Sequence, residues 1–171
     1  MTLPVGENTR LMVFDEIVAG EELPTIEYQY DENIQGRYLI ATEEENPWYF
    51  SASPWGDPIL YHCLIDDSTF SAVKQKYKLP FGYLHARQEI EFINPVPLGK
   101  LVWAYSKIAE KYVKRGKGYI VIETLLVDDD GIEIMRTKSH CMVDDERIRE
   151  ASKTGLEMTP PPASRKYPKK K

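Results

Sequence analysis

The spacing of apolar residues changes from a helical period to a strand period near the middle of the chain. Between Pro58 and Tyr77, apolar side chains recur about every third or fourth position, which predicts one long helix with Pro58 at its first position. The segment Leu79-Pro80-Phe81-Gly82 interrupts this period and ends the predicted helix. From there to residue 93, apolar and polar residues alternate, which predicts a strand with one covered face.

The flanking sequence predicts four more strands and a second helix. The strands are expected at residues 25–30, 100–113, 117–129 and 132–144, and Asp130-Gly131 supplies the turn of the last hairpin. Asp31 is the expected N-cap of a helix over residues 32–42. A long helix followed by a run of antiparallel strands is an α+β arrangement, in which the sheet wraps around the apolar helix.

Length and composition favour a single globular domain. The chain has 171 residues, of which 42% are hydrophobic and 29% charged, as is typical of globular proteins. We expect the domain to cover residues 1–150. Residues 151–171 are rich in proline and lysine and are predicted to be disordered.

Charge and residue usage exclude several classes of function. The net charge of −5 argues against binding to duplex nucleic acid. No apolar run approaches the roughly 20 residues that a membrane-spanning helix needs, and the N-terminus does not resemble a signal peptide. The distant cysteines Cys63 and Cys141 predict reduced thiols and a cytoplasmic location. His62, His85 and His140 are not spaced as metal ligands, so we predict no metal site.

Four stretches of the chain resemble a known family. They are residues 14–24 (FDEIVAGEELP), 37–49 (RYLIATEEENPWY), 56–73 and 87–99 (RQEIEFINPVPLG). Together they resemble the MaoC-like hydratase/dehydratase proteins, which have a hot-dog fold. The resemblance implies an antiparallel sheet wrapped around a long central helix.

The family's catalytic motif, D-x-N-P-x-H, is altered in this chain. In the best register it falls on residues 44–49, where Asn46 and Pro47 match, Glu44 replaces the aspartate and Tyr49 replaces the histidine. In the family, the aspartate and histidine activate a water for hydration of a 2-enoyl thioester. Glutamate can still orient or deprotonate water, but tyrosine, with an ordinary pKa of about 10, is a poor base at neutral pH. The resemblance therefore implies a degenerate dyad.

A second register places the motif's aspartate and histidine on Asp57 and His62, which are five residues apart. It fits less well, because Ile59 and Leu60 then replace the Asn-Pro pair and the spacing to Phe92 becomes too short. In the first register, Ile59 begins the central helix. His62 then lies near the position where family members use a helix N-terminal amide to hold the thioester oxygen.

His62 also has chemistry of its own. On the predicted helix, Asp66 lies one turn after His62 on the same face, so the carboxylate can fix the imidazole tautomer for a general base. Asp66 and Asp67 also resemble the helix carboxylates of some hot-dog thioesterases. The alternative is a partly buried histidine with solvated carboxylates. Both interpretations stay open for His62 and Asp66, while a solvated or dimer-facing edge is favoured for Asp67.

An aromatic cluster precedes the predicted long helix. Its members are Trp48, Tyr49, Phe50 and Trp55, which either line an acyl pocket or, as we favour, fill the core between the two helices. The predicted substrate-binding residues are Asn46, Trp48, Asp57 and Ile59, and the predicted catalytic residues are Glu44, Tyr49, His62 and Asp66.

The resemblance also implies a substrate and a partner. The substrate is an acyl thioester carried on coenzyme A or acyl carrier protein, with no further cofactor. A basic hairpin tip is either a site for the phosphates of coenzyme A or, as we favour, a solvated turn; it comprises Lys111, Lys114, Arg115 and Lys117. The expected assembly is a homodimer, or a heteromer with a second hot-dog subunit. The alternative functions are a thioesterase using Asp66 with His62, and a non-catalytic subunit of a heteromeric hydratase.

Overall fold

The computed structural model describes residues 9–65, 68–80 and 82–153. Eleven helices and strands lie within these ranges: β1 (Arg10–Leu11), β2 (Glu21–Glu22), β3 (Ile26–Gln29), α1 (Glu32–Thr42), α2 (Ser68–Lys76), β4 (Tyr77–Lys78), β5 (Leu84–Phe92), β6 (Leu101–Lys114), β7 (Lys117–Asp128), β8 (Glu133–Asp144) and α3 (Glu146–Lys153).

One antiparallel sheet forms the body of the molecule. Its strand order is β2-β6-β7-β8-β5, and β3 also pairs with β6, while β1 and β4 form a separate parallel pair. Alternate residues of the central strands, such as Ala104, Ile122 and Met135, are fully buried. Ala72 and Val73 of α2 are equally buried in the same cluster, so one face of the sheet packs around α2.

The predicted strands agree with the structure to within one residue at each end. In the last hairpin, Asp128 Oδ1 accepts hydrogen bonds from the backbone N–H groups of Asp130 (3.0 Å) and Ile132 (2.9 Å). Gly131 adopts a φ of 80°, a conformation that costs glycine little. The hairpin that the Asp-Gly sequence predicts is therefore confirmed.

Helix α1 also has its predicted bounds. Asp31 is extended and its Oδ1 accepts a hydrogen bond of 2.8 Å from the backbone N–H of Ile34, which makes it the N-cap. Glu43 ends the helix in the left-handed conformation, with a φ of 54°.

The long helix predicted from Pro58 to Tyr77 is wrong in its first half. Residues 58–61 instead run beside residues 96–98, with the Leu60 N–H bonded to the Val96 carbonyl and the Leu98 N–H to the Pro58 carbonyl, both at 2.8 Å. A single 3-10 turn follows at His62–Leu64, and α2 begins only at Ser68. The helical spacing misled because Ile59 and Leu60 are buried in two different clusters, on opposite sides of an extended segment.

A third helix lies at the C-terminal end of the described residues. Helix α3 continues to Lys153, so the predicted domain end at residue 150 falls inside a helix. Asp145 caps this helix by accepting a 2.8 Å hydrogen bond from the Ile148 N–H, and Ile148 is buried. The tail predicted to be disordered lies, from residue 154 onward, outside the described residues. Among the helices that the structure describes, none combines the length and the apolar character that crossing a membrane requires.

Candidate functional site

The residues that match the family motif form a tight turn after α1. Glu44 Oε1 accepts hydrogen bonds from the backbone N–H groups of Glu45 (3.1 Å) and Asn46 (2.9 Å). Asn46 Oδ1 accepts from the Trp48 N–H at 3.1 Å and so caps the 3-10 turn that Pro47 begins. Since Glu44 and Asn46 are engaged in this turn, their visible role is to shape the backbone that carries Tyr49.

Tyr49 is the buried residue of the turn, with only 8% of its surface exposed. Its hydroxyl lies 3.2 Å from Nδ1 of His62, which the 3-10 turn at His62–Leu64 carries in from the other side. Burial raises the pKa of Tyr49, and the nearby Glu44 carboxylate raises it further. The phenol is therefore neutral at pH 7 and can both donate and accept a hydrogen bond.

The contact between the two side chains links the protonation of both imidazole nitrogens. When the Tyr49 hydroxyl accepts from Nδ1–H, Nε2 keeps a lone pair and can act as a base. When the hydroxyl donates to Nδ1, Nε2 carries the proton and can act as an acid. The pair can thus both take up and deliver a proton at Nε2, as proton shuttling requires.

An apolar cavity of about 290 Å³ lies beside His62. It is lined by Ile59 and Ile65 of the 58–65 segment, by Phe92 at the end of β5, by Val96 in the loop that follows, and by Ile134 of β8. The ring of His62 packs edge-on against Phe92, with 4.7 Å between centroids. A mostly apolar cavity with one titratable group at its wall is typical of a small-molecule site.

Gln35 is a site residue that sequence analysis missed. It lies on the same face of α1 as Leu39 and is 1% exposed. Its Nε2 donates to the carbonyls of Tyr49 (2.9 Å) and Ile59 (3.1 Å), and its Oε1 accepts from the Tyr61 N–H at 2.7 Å. Its place among apolar residues of a helix was the available signal, because a buried amide needs hydrogen-bond partners.

The predicted substrate-binding residues are separated in the structure. Ile59 lines the cavity, and Asn46 caps the motif turn. Trp48 and Asp57 are exposed and are not among the described residues that line the cavity. Asp57 also lies outside hydrogen-bonding contact with His62 among the described contacts, so the second motif register gains no support.

The interpretation of the aromatic cluster as core filling holds only for Tyr49. Trp48, Phe50 and Trp55 are 40%, 55% and 58% exposed, and Trp48 and Trp55 pack edge-to-face at 5.7 Å. The two helices therefore do not enclose these three rings.

The predicted pairing of His62 with Asp66 depended on a helix that is not present there. Because His62 lies in a 3-10 turn that precedes α2, helical spacing does not relate it to Asp66, and it does not lie in the first turns of α2. Asp66 and Asp67 themselves lie outside the described residues. The expectation of a helix N-terminal amide next to His62 stays a prediction, because the two residues that precede α2 are not described.

The basic residues of the hairpin tip have different surroundings. Lys111 Nζ donates to the backbone carbonyls of Phe14 (2.8 Å) and Ile17 (3.0 Å), so it anchors the N-terminal turn rather than a phosphate, and it is not part of a solvated turn. Lys114 and Arg115 are exposed, as expected for a turn.

One cluster of carboxylates has a metal-like geometry. Asp128, Asp129 and Asp130 bring their oxygens together at the β7–β8 hairpin. Lys100 Nζ lies among them, 2.8 Å from Asp128 and 3.3 Å from Asp129, and is also bonded to Asp130. The Lys100 ammonium group therefore occupies the position that a metal cation would take, and it neutralises part of the carboxylates' charge.

The fold is similar to several solved structures. No protein-family model and no curated protein matches the chain by sequence. By structure, it is similar to a monoamine oxidase regulatory protein from Archaeoglobus fulgidus (TM-score 0.68, 16% identity, 78% of this chain and 95% of that one). It is also similar to the R-hydratase PhaJ1 from Pseudomonas aeruginosa (0.65, 17%, 78% and 86%). A third match is the HadBC (3R)-hydroxyacyl-ACP dehydratase complex from Mycobacterium tuberculosis (0.60, 17%, 71% and 93%). These matches confirm the predicted α+β architecture.

Proposed function

The chain has the hot-dog fold of the MaoC-like hydratases and dehydratases, and from this premise we propose that it interconverts 2-enoyl and 3-hydroxyacyl thioesters. The observation that carries the proposal is the 3.2 Å contact between Tyr49 Oη and His62 Nδ1 beside an apolar cavity. The imidazole that the altered motif lacks at position 49 is supplied by His62. The substrate is carried on coenzyme A or acyl carrier protein and needs no other cofactor.

In this proposal His62 exchanges protons with the substrate and Tyr49 supports the exchange. Nε2 takes a proton from water as the water oxygen bonds to C3, and the electron pair of the C2=C3 double bond moves towards C2 and the thioester carbonyl. The imidazolium is held by its Nδ1–H donating to Tyr49. Nε2–H then returns its proton to C2, which leaves the 3-hydroxyacyl thioester and neutral His62. Dehydration follows the same steps in reverse.

A second hot-dog subunit would complete the site. Strand β5 is an edge of the sheet, paired with β8 alone among the described strands. Ile90 and Phe92 lie on its helix-facing side, opposite Thr137 and Met135, yet they are 39% and 50% exposed because α2 does not reach them. A long edge with apolar side chains is a surface that pairs with another chain. The HadBC match is a complex, and the subunit proposed here is either a second copy or a different hot-dog chain.

The test measures both possible products on the same samples of the full chain. Crotonyl-CoA and longer 2-enoyl-CoA thioesters are incubated with the protein, and loss of enoyl absorbance and release of free thiol are followed together. We expect hydration without thiol release. His62→Ala should lower kcat by about 10²–10⁴-fold, the usual contribution of a general acid–base group. Tyr49→Phe should lower it roughly five- to tenfold, since one hydrogen bond contributes about 1–1.5 kcal/mol.

His85→Ala is the matched control, because His85 packs against Phe70 of α2 and is not among the cavity residues. It should keep hydratase activity within about twofold of the wild type. Full activity in His62→Ala would contradict the assignment of the base. Thiol release in place of hydration would make the protein a thioesterase. Loss of both activities with thioester binding retained would identify a non-catalytic subunit.

A further inference from the structure

Gln35 connects the two segments that carry the proposed catalytic pair. Tyr49 is on the turn after α1, and His62 follows directly after Tyr61 on the segment that runs beside residues 96–98. The Gln35 amide bonds to the backbone of both segments: the Tyr49 carbonyl on one, and the Ile59 carbonyl and Tyr61 N–H on the other. One side chain therefore sets the separation of Tyr49 and His62.

The hydrogen bonds determine which end of the amide faces which partner. Both carbonyls can only accept, so they require the NH₂ group, and the Tyr61 N–H can only donate, so it requires the oxygen. The two donors of the amide and its oxygen are all used. Because Gln35 is 1% exposed, water cannot replace these bonds, and no other uncharged side chain of similar size offers two donors and an acceptor on one planar group.

From this geometry we propose that Gln35 is a positioning residue that holds Tyr49 and His62 at hydrogen-bonding distance. This inference rests on the proposed function for its effect on catalysis, but its structural part concerns the Tyr49–His62 contact alone. A displacement of about 1 Å in a catalytic group can lower a rate by roughly 100-fold. Gln35 acts through that displacement without touching the substrate.

The decisive variant is Gln35→Glu. It keeps the shape of the side chain but places a carboxylate against two carbonyl oxygens, where neither oxygen can donate. Burial disfavours the charged form, so the pKa of the new carboxyl group rises. When protonated, the group regains one donor, and its second oxygen still accepts from the Tyr61 N–H. The substitution Gln35→Glu should therefore disturb the Tyr49–His62 contact strongly at high pH and less at low pH.

The titratable groups around this position are known from the packing. Tyr49 and Tyr61 pack edge-to-face at 4.9 Å, Tyr38 of α1 lies against Tyr61 at 5.5 Å, and His62 lies 5.2 Å from the Tyr61 ring. Besides burial, the Glu44 carboxylate and the Cys63 thiol both raise the pKa of Tyr49 and of Tyr61. The wild-type pH profile is measured in parallel, and the activity of the variant at each pH is divided by that of the wild type.

The first readout is the pH profile of hydratase activity. For Gln35→Glu we expect kcat to fall by about 10–100-fold at pH 8 with KM changed less than threefold, and the deficit to shrink as the pH is lowered. Gln29→Glu is the control: Gln29 Nε2 also donates to a carbonyl, that of Gly99 at 3.0 Å, but this bond is exposed and lies on strand β3, outside the two segments that carry Tyr49 and His62. It should leave kcat and the profile unchanged.

The second readout does not need activity. The ¹⁵N chemical shift of His62 Nδ1 reports its hydrogen bond with Tyr49, and Tyr49→Phe supplies the shift of the broken contact. We expect the Nδ1 signal of Gln35→Glu at pH 8 to match that of Tyr49→Phe. Gln35→Met removes the hydrogen bonds without adding a charge, so its Nδ1 signal should match that of Tyr49→Phe at every pH.

The outcomes separate the two proposals. An inactive wild type whose Nδ1 signal still moves in the Gln35 variants would overturn the proposed function and support the positioning role. An active wild type whose Gln35 variants keep both the Nδ1 signal and the pH profile, and lose only thermal stability, would overturn the positioning role. Folding of each variant is verified by circular dichroism, and Gln35→Glu at low pH serves where Gln35→Met does not fold.

Discussion

At the scale of single residues, the change from histidine to tyrosine in the motif is less disruptive than it looks in the sequence. Tyr49 would be a weak base alone, and burial raises its pKa further. Its value lies in the hydroxyl, which meets Nδ1 of His62 at 3.2 Å. In the proposed site, the phenol lies on the motif turn and the imidazole lies on the segment that follows it.

The contact between Tyr49 and His62 shows which part of the site the sequence can predict. Glu44, Tyr49 and His62 were found as candidates from the motif and from residue chemistry. The pairing of Tyr49 with His62 is not predicted, because the sequence pattern places His62 on a helix next to Asp66. A contact between residues thirteen positions apart depends on how two irregular segments fold back, and neither segment has a period to read. The hydrogen-bond partners of Gln35 are unpredictable for the same reason, since they are backbone groups on those segments.

Asp128 supports a prediction on the pH dependence of stability. Burial alone would raise its pKa, but hydrogen bonds from Lys100 and from the Ile132 and Asp130 N–H groups outweigh it and lower the pKa. A carboxyl group whose pKa is lowered by folding stabilises the protein above its unfolded pKa of about 3.9, and this contribution is lost as the pH falls through the folded pKa.

Asp128→Asn should therefore lower the urea midpoint at pH 7, because Asn keeps the backbone hydrogen bonds and loses the ionic one to Lys100. The difference from the wild type should begin to shrink below about pH 4, where Asp128 of the unfolded chain takes up a proton, and should be lost once the pH falls below the lowered pKa of the folded state. Urea unfolding followed at pH 3, 5 and 7 checks this. A difference that is constant over that range would show that the charge of Asp128 contributes nothing.

At the scale of elements, the sheet was predictable and the segment before α2 was not. Strands β6, β7 and β8 alternate largely between covered and open positions, and that local period fixes their bounds to within one residue. Residues 58–65 have neighbours on both sides, so their apolar positions follow no strand period and imitate a helical one. Burial by α1 on one side and by the sheet on the other is a tertiary effect that the pattern cannot report.

Gly118 shows how closely the N-terminal turn packs on the sheet. A Cβ added at this position would lie 2.9 Å from two ring carbons of Phe14 and 3.0 Å from Cβ of Asp144. These contacts are shorter than van der Waals distance, and one of them involves the neighbouring strand β8. Lys111 holds the same turn by its carbonyls, so Phe14 has little freedom to withdraw.

We expect Gly118→Ala to lower the free energy of unfolding by about 1–3 kcal/mol, the usual cost of overpacking. Gly36→Ala is the matched control, since its added Cβ meets nothing within 4 Å and the residue lies inside α1. That change should raise the stability by roughly 0.4–1 kcal/mol, because alanine loses less backbone entropy than glycine. Urea denaturation of both variants is the measurement, and equal effects of the same sign would contradict the packing argument.

At the scale of the whole molecule, the isolated chain leaves one side of its sheet unfinished. The five-strand path ends at β5, whose outer backbone edge has no partner strand among the described residues. On the helix-facing side of that strand, Ile90 and Phe92 continue the rows of buried residues Thr137 and Met135 but remain partly exposed. Since Phe92 also contacts His62, a subunit that covers this edge would cover one wall of the cavity as well.

If that subunit is a second copy, the wild-type chain should sediment as a dimer and Ile90→Lys should shift it to a monomer, because a charge would then be buried without a partner. Val113→Lys is the control, since Val113 is 66% exposed at the β6–β7 end of the sheet, away from β5. Sedimentation velocity over a range of concentrations distinguishes the cases. A dimer that survives Ile90→Lys would place the contact elsewhere, and a wild-type monomer at every concentration would exclude the homodimer and leave a different hot-dog chain as the partner. Hydratase activity should be measured on the same samples. It should decrease as the fraction of dimer decreases, because the cavity beside His62 then loses the cover that the second subunit provides.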